Sequence, residues 1–342
     1  HADAGPDSLR VLRFAPAAGS AYRPARRAAT RATSSGHGAV SGGAIRGCVV
    51  ECYGRRVLVV HDAGAPLACK LRGRKLDVVA GDEVLIEKHE GSDDWTVGER
   101  LARRNVLCRS DSRGLEESIA ANLDQLGVVV APLPVCDPFV VDRYVAGACL
   151  AGIAPLLIVN KLDLPGDAGD LSYIEPLRRL GLPVHLVSAK SGTGLPELIT
   201  ALTGKRTLLA GQSGVGKSSL LNALAGDAIR TIGRLSERSG EGRHTTVSSA
   251  ILQVPWGELA DSPGVRDYAP PVVPLQDVQS GFIEIAALAR GCRFQDCVHS
   301  REPQCAVQTA VAAGKVDPRR YESYRRLLNL TRQLEEKRGW RG

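Results

Sequence analysis

The chain has 342 residues, 44% of them hydrophobic and 24% charged, which is enough for two or three domains, each with its own core. No run approaches the roughly 20 uninterrupted apolar residues of a membrane-spanning helix, so that class and a membrane partner are excluded. Nine cysteines, an odd number and mostly scattered singly, argue against a secreted disulfide framework and for a reducing compartment. The formal net charge of +7 divides unevenly: +4 over residues 1–43, +2 over 44–110, −5 over 111–285 and +6 over 286–342. An acidic middle with basic flanks points to nucleic-acid contact by the flanks.

Residues 1–43 are rich in Ala, Gly, Ser and Arg and lack a periodic apolar face. Their basic, acid-poor composition around Tyr22-Arg23-Pro24-Ala25-Arg26-Arg27 resembles an organelle transit peptide. The expected location is therefore a plastid or mitochondrion, otherwise the cytoplasm; the alternative is a disordered basic arm that binds RNA. Methionine is absent throughout, which fits a chain that begins after a processing event or at an artificial boundary.

Short alternating strands begin at Ile45: Cys48–Glu51, Arg56–Val60, Leu67–Leu71 and Asp82–Ile86, bounded by turn residues such as Tyr53-Gly54 and Ala80-Gly81. About five such strands within 44–110 predict a small Greek-key barrel of the OB-fold type, an RNA-binding domain with Arg72-Gly73-Arg74-Lys75 as a phosphate contact. Over 111–275 the apolar runs become continuous: Gly127–Ala131, Pro155–Val159, Val184–Val187, Thr207–Ala210 and Ile251–Val254. Alternating with helical stretches, they predict a parallel α/β sheet covered on both faces. Residues 276–342 read as helical, with a charged final helix through Tyr321–Leu328.

The strongest motif is Gly211-Gln212-Ser213-Gly214-Val215-Gly216-Lys217-Ser218-Ser219, a phosphate loop between a strand and a helix. Its glycines let backbone N–H groups face phosphate oxygens, Lys217 brings charge to the β and γ phosphates, and Ser218 ligates magnesium. Asn160-Lys161-Leu162-Asp163 closes an earlier strand and suits guanine, since the Asp163 carboxylate accepts from both the ring N1–H and the exocyclic amine. Asn160 would support the loop and base edge, and the Lys161 stem would pack on the base. Ser188-Ala189-Lys190 follows the next strand, where the Ala189 N–H can meet the guanine oxygen. Asp261-Ser262-Pro263-Gly264 reads as the magnesium and γ-phosphate sensor, with Asp261 at the metal's water shell and the Gly264 N–H at the phosphate. Either Thr245 or Thr246 can complete the magnesium shell. They sit in a Gly-, Ser- and Arg-rich stretch, Gly233 to Ser249, that needs an outside contact to hold it.

Many GTPases place a water-orienting glutamine after the D-x-x-G glycine; here Val265 occupies that position. Slow intrinsic hydrolysis is expected, with His244 as the candidate to orient water. The base-reading motifs at 160 and 188 precede the phosphate loop at 211, the reverse of the common order, so the sheet is a circular permutation. Cys292, Cys297, His299 and Cys305 then match a closed, structural zinc site.

Together these residues resemble the circularly permuted, ribosome small-subunit-dependent GTPase A family over about 44–330. The likeness includes Cys69-x-Leu71-Arg72-Gly73, Gly81-Asp82, Arg103-x-Asn105-x-Leu107-x-Arg109 and Gly242-Arg243-His244-Thr245-Thr246. It ends with Cys292-Arg293-Phe294-x-Asp296-Cys297-x-His299-x-x-Glu302-Pro303-x-Cys305. Ser262 and Val247 stand where threonine is more usual, and residues 1–43 match nothing in the family core. The resemblance implies GTP hydrolysis during late maturation of the small ribosomal subunit, with release afterwards. Its implied partners are the small subunit with its rRNA and GTP/GDP, for a monomeric chain using Mg2+ with GTP and one Zn2+. The alternative is an RNA-binding translational switch that hydrolyses GTP negligibly.

Overall fold

The computed structural model describes residues 44–61, 65–72, 76–88, 94–166, 169–226, 249–261 and 268–339. The expectations for residues 1–43, the loop 73–75, His244, Thr245, Thr246, Val247, Ser262, Gly264 and Val265 fall outside them. Strands β1 (Ile45–Tyr53), β2 (Arg56–Val60), β3 (Leu67–Leu71), β4 (Glu83–Lys88) and β5 (Trp95–Arg100) pair in the order β1-β2-β3-β5-β4. Strand β4 returns to β1 from Ile45↔Ile86 to Cys48↔Glu83, which closes the barrel and leaves no open edge. Alternate residues Val57, Val59, Cys69, Val84, Ile86 and Val97 fill its interior.

A hairpin of β6 (Val106–Ser110) and β7 (Glu116–Ala121) forms a separate two-stranded sheet. The domain boundary expected at residue 110 falls inside it, because the chain pairs across that point. The hairpin is welded to the barrel: Ala121 N–H donates to the Ala80 carbonyl at 2.9 Å. Arg103 grips the fully buried Asp82 through Nε (2.7 Å) and a terminal nitrogen (2.8 Å). Gly81 (φ 93°) is required there, since a Cβ would lie 2.1 Å from the Ala121 carbonyl oxygen.

The second sheet contains β8 (Gln125–Val130), β9 (Ala154–Val159), β10 (Val184–Leu186), β11 (Arg206–Ala210), β12 (Ala250–Val254) and β13 (Gly257–Asp261), in the order β10-β9-β8-β11-β13-β12. All run parallel except β12, which pairs antiparallel with β13. The apolar run Ile251–Val254 is thus not the last parallel strand. That place belongs to β13, whose Gly257-Glu258 start hides it from an apolar-run reading. Helices α1 (Pro138–Leu150), α2 (Ile174–Arg179), α3 (Leu195–Leu202) and α4 (Lys217–Ala225) lie in this part of the chain, and Val128, Val129, Leu157 and Ile158 are fully buried. Such strands read as continuous apolar runs because both faces are covered. Glu51↔Ala250 joins β1 to β12, and Arg206 reaches from β11 to the Gly81 carbonyl (2.9 Å) and the Cys48 sulfur (3.3 Å). Barrel and sheet therefore meet at the strand that feeds the phosphate loop.

A 3-10 helix (Leu275–Gly281) leads to α5 (Ile283–Ala289), α6 (Ala306–Ala312) and α7 (Pro318–Gly339). Val278, Phe282, Ile285, Val307, Tyr324 and Leu327 pack with Cys297 and Cys305 in a core of their own. This unit is bolted to α1. Arg320, 1% exposed, pairs with Asp142 and with Glu284, each at 2.8 Å, and lies 4.7 Å from the Phe282 ring centre. Arg319 adds a second contact to Asp142 at 2.6 Å. Charges this buried persist only when each finds a partner. Among the described residues no helix is long and apolar enough to cross a membrane.

Candidate functional site

From β8 the chain runs outward through β9 to β10, then returns to β11 on the other side of β8. Loops leaving the carboxyl ends of β8 and β11 therefore diverge, and the crevice between them is where an open parallel sheet binds ligands. The phosphate loop leaves β11 there and opens into α4. Gly211, Gly214 and Gly216 all have positive φ (145°, 82° and 90°). A Cβ on Gly211 would sit 2.3 Å from the Val129 carbonyl oxygen, and one on Gly216 would sit 2.5 Å from Asn160 Nδ2. Lys217 Nζ donates to the carbonyls of Gly211 and Gln212, both at 2.7 Å, which holds the ammonium over the loop. Val215 is buried beneath, while Ser213, Ser218 and Ser219 are exposed, the last two in the first turn of α4. An N-terminus that presents N–H groups, a cation and hydroxyls together is a phosphate site.

Asn160, 1% exposed at the end of β9, ties three loops together. Its Nδ2 donates to the Val215 carbonyl (3.1 Å) and toward that of Gly216 (3.4 Å), and its Oδ1 accepts from the Ala189 N–H (3.0 Å). Asn160 and the Ala189 N–H, both expected to face the guanine base, join loop to loop here. Lys161 (φ 67°) stretches across the crevice, its Nζ donating to the carbonyls of Gly214 (2.7 Å) and Leu133 (2.8 Å). Leu162 is exposed beside it. Asp163 Oδ1 accepts from Ser188 Oγ at 2.7 Å, and its Oδ2 lies 3.9 Å from Lys190 Nζ. The Ser188 hydrogen bond, with the Lys190 and Lys161 charges behind it, holds the Asp163 carboxyl below the usual carboxylate range. Its ionised oxygens only accept, which matches the paired donors of guanine and not adenine.

Asp261 ends β13 beside β11, in register with Leu209, so the magnesium candidates Asp261 and Ser218 flank the same strand end. The turn Pro132-Leu133-Pro134 after β8 was not anticipated. The Leu133 carbonyl anchors Lys161, and the Pro134 ring lies 3.3 Å from where a Cβ on Gly214 would stand. The prolines at a strand end were the available signal.

In the C-terminal unit the ligand atoms of Cys292, Cys297, His299 and Cys305 all lie within 4.8 Å of one another. Cys292 Sγ is 3.5 Å from His299 Nδ1 and 3.8 Å from Cys305 Sγ, and His299 Nδ1 is 3.4 Å from Cys305 Sγ. Zinc bonds of roughly 2.3 Å to sulfur and 2.0–2.1 Å to nitrogen give tetrahedral edges of about 3.8 and 3.5 Å, so the cluster fits that ion. His299 Nε2 meets Gln279 Oε1 at 2.8 Å, which turns Nδ1 toward the sulfurs. Nothing in the sequence marked Gln279 for this. Burial pushes the Cys297 thiol up to about 12, raises Cys305 and lowers His299. Ionising Cys297 and Cys305 in that setting calls for a cation beside them.

A family model described as RsgA GTPase matches residues 100–269. The small ribosomal subunit biogenesis GTPase RsgA of Azotobacter vinelandii is 40% identical over 316 residues, covering 90% of this chain and 92% of that protein. The protein of the same name from Pseudomonas aeruginosa is 40% identical over 312 residues, with 90% and 91% covered. A match of that extent is longer than residues 44–342, so it reaches into the basic segment that had been set apart from the family. Among solved structures, YjeQ from Thermotoga maritima superposes with a TM-score of 0.66 at 28% identity, covering 84% of this chain and 98% of that one. YloQ, described as a circularly permuted GTPase, gives 0.64 at 25% identity, with 87% and 98% covered.

Asp163→Asn is expected to weaken GTP binding at least about tenfold, roughly 1.4 kcal/mol, and to favour a xanthine nucleotide, whose extra carbonyl pairs with the amide. Competition binding of the two nucleotides checks this; unchanged GTP affinity would remove Asp163 from base recognition.

Proposed function

The chain belongs to the RsgA GTPase family, and from that membership we propose that it hydrolyses GTP on the small ribosomal subunit during late maturation and leaves after hydrolysis. The observation that carries this reading is the knot at Asn160, which holds the base-reading loops and the phosphate loop to one another at the switch point of the sheet. Phosphoryl transfer demands positioning and charge stabilisation more than covalent chemistry. The loop N–H groups and Lys217 supply the charge, and Asp163 selects guanine. Ser218 and Asp261 would hold Mg2+, which neutralises developing phosphate charge. A GTP clamp with negligible hydrolysis is not favoured, because the relatives are named GTPases.

The finer parts of the proposal rest on composition and donor chemistry. The barrel and the basic C-terminal unit contact rRNA, and the chain acts as a monomer. Cys292, Cys297, His299 and Cys305 hold one structural zinc, which replaces part of a core too small to stand alone. Metal analysis of protein purified without chelator should find one zinc per chain. Cys297→Ser should melt the C-terminal unit first while GTP binding persists. A fully folded wild type without metal would contradict the assignment.

His244 is proposed to orient the attacking water, since the Val265 side chain can neither donate nor accept a hydrogen bond. Contact with the subunit would set its position, so intrinsic hydrolysis is slow and subunits raise it at least about tenfold, roughly 1.4 kcal/mol of barrier. In single-turnover assays His244→Ala should lose that stimulation while GTP affinity and subunit binding persist. Full stimulation in the variant would exclude His244, and no hydrolysis by the wild type on subunits would exclude the GTPase reading.

A further inference from the structure

We propose that the outer rim of the zinc loop is a stacking platform for an unpaired RNA base, formed by Phe294 with Arg293. The proposal rests on the small-subunit reading above and deepens it to a residue-level contact. The chain has four phenylalanines. Phe282 is fully buried, Phe139 packs against the C-terminal core between Arg143 and Arg326, and Phe14 lies outside the described residues. Phe294 is 40% exposed and belongs to none of the buried clusters among the described residues. The Arg293 guanidinium lies 5.5 Å from its ring centre and is held there by a 3.2 Å hydrogen bond to Gln304 Oε1.

This pair is mounted on the loop that carries the Cys/His cluster. Phe294 lies between Cys292 and Cys297 of the zinc cluster. The Glu302 carboxylate accepts the N–H groups of Val298, Ser300 and Arg301. The Tyr321 and Tyr324 hydroxyls donate to the carbonyls of His299 and Val298. Phe294 itself is tied by its carbonyl, which accepts from the Cys297 N–H at 3.4 Å, and by Arg293 beside its ring, so part of its freedom is given up before it is covered. Because Glu302 is spent on its own loop, the outward charges are Arg290, Arg293 and Arg301 against Asp296.

A preorganised aromatic face beside a guanidinium, within a positive rim, is the chemistry that stacks unpaired bases regardless of sequence. An apolar protein partner would call for a contiguous apolar patch. Phe294 instead has Arg293 and Gln295 as its exposed chain neighbours.

The test uses the full chain, loaded with a non-hydrolysable GTP analogue and titrated with purified small subunits. Base stacking predicts that Phe294→Ala weakens binding at least about fivefold, the low end for one stacked base. Phe294→Trp should retain wild-type affinity, while Phe294→Leu should fall with the alanine variant because it keeps bulk without a π face. Zinc content and nucleotide affinity should match wild type in all three. The tryptophan variant should also show quenching by an unstructured oligoribonucleotide beyond that of wild type. Wild-type affinity in Phe294→Ala would overturn the platform. Full binding by Phe294→Leu would overturn it in favour of an apolar contact with a ribosomal protein. Failure of the wild type to bind subunits would overturn the small-subunit reading and this proposal with it.

Discussion

One buried amide sets the geometry of the nucleotide site. Asn160 is enclosed at the end of β9, and each of its polar atoms is spent on a different loop, with Nδ2 on the phosphate loop and Oδ1 on the Ala189 N–H. Lys161 repeats the device one residue later, bridging the phosphate loop and the turn after β8. Four loops from four strand ends are thereby fixed to one another, and a site meant to act through positioning needs that rigidity. Gly216 answers the same constraint: a side chain there would occupy the space Asn160 uses.

The permutation gives this site its mechanical consequence. In the observed strand order β13, which ends at Asp261, is the last strand of the sheet in chain order, and the C-terminal unit follows it. Tyr268 is fully buried and stacks on Tyr144 of α1 with ring centres 5.3 Å apart. At Gly147 a Cβ would lie 2.3 Å from the Tyr268 hydroxyl oxygen. The same helix carries Asp142, which takes Arg319 and Arg320 from α7. Removing one partner from such a buried pair costs about 3–5 kcal/mol, so the C-terminal unit is held to the nucleotide domain by a firm joint. Strand β13 and the Cys/His loop are thus connected twice, once along the chain and once through α1.

The parts of this architecture that were legible in the sequence are those whose chemistry is local. The phosphate loop, the N-K-x-D and S-A-K loops and the Cys/His cluster each fit within a few residues, because one ligand must be met by neighbouring groups. The barrel strands showed through their alternation, and the parallel strands through their unbroken apolar runs. What stayed hidden joins distant positions. Arg320 and Asp142 are 178 residues apart, and no spacing rule links them. Gln279 reaches His299 only once the helices have packed. The strand region expected to end at Asp261 is β13, set apart from the apolar run 251–254 by its Gly257-Glu258 start, where Glu258 pairs with Arg206 at the barrel; the hairpin across residue 110 stayed hidden because its pairing overrides the change in pattern there.

The central claim is that nucleotide state, read at Asp261 and the phosphate loop, governs attachment to the small subunit through the C-terminal unit. Co-sedimentation of the full chain with purified small subunits in GTP, in a non-hydrolysable analogue and in GDP tests it most directly. The account predicts stable co-sedimentation with the analogue, decay of the complex with GTP, and little binding with GDP. Equal binding in all three states would contradict it.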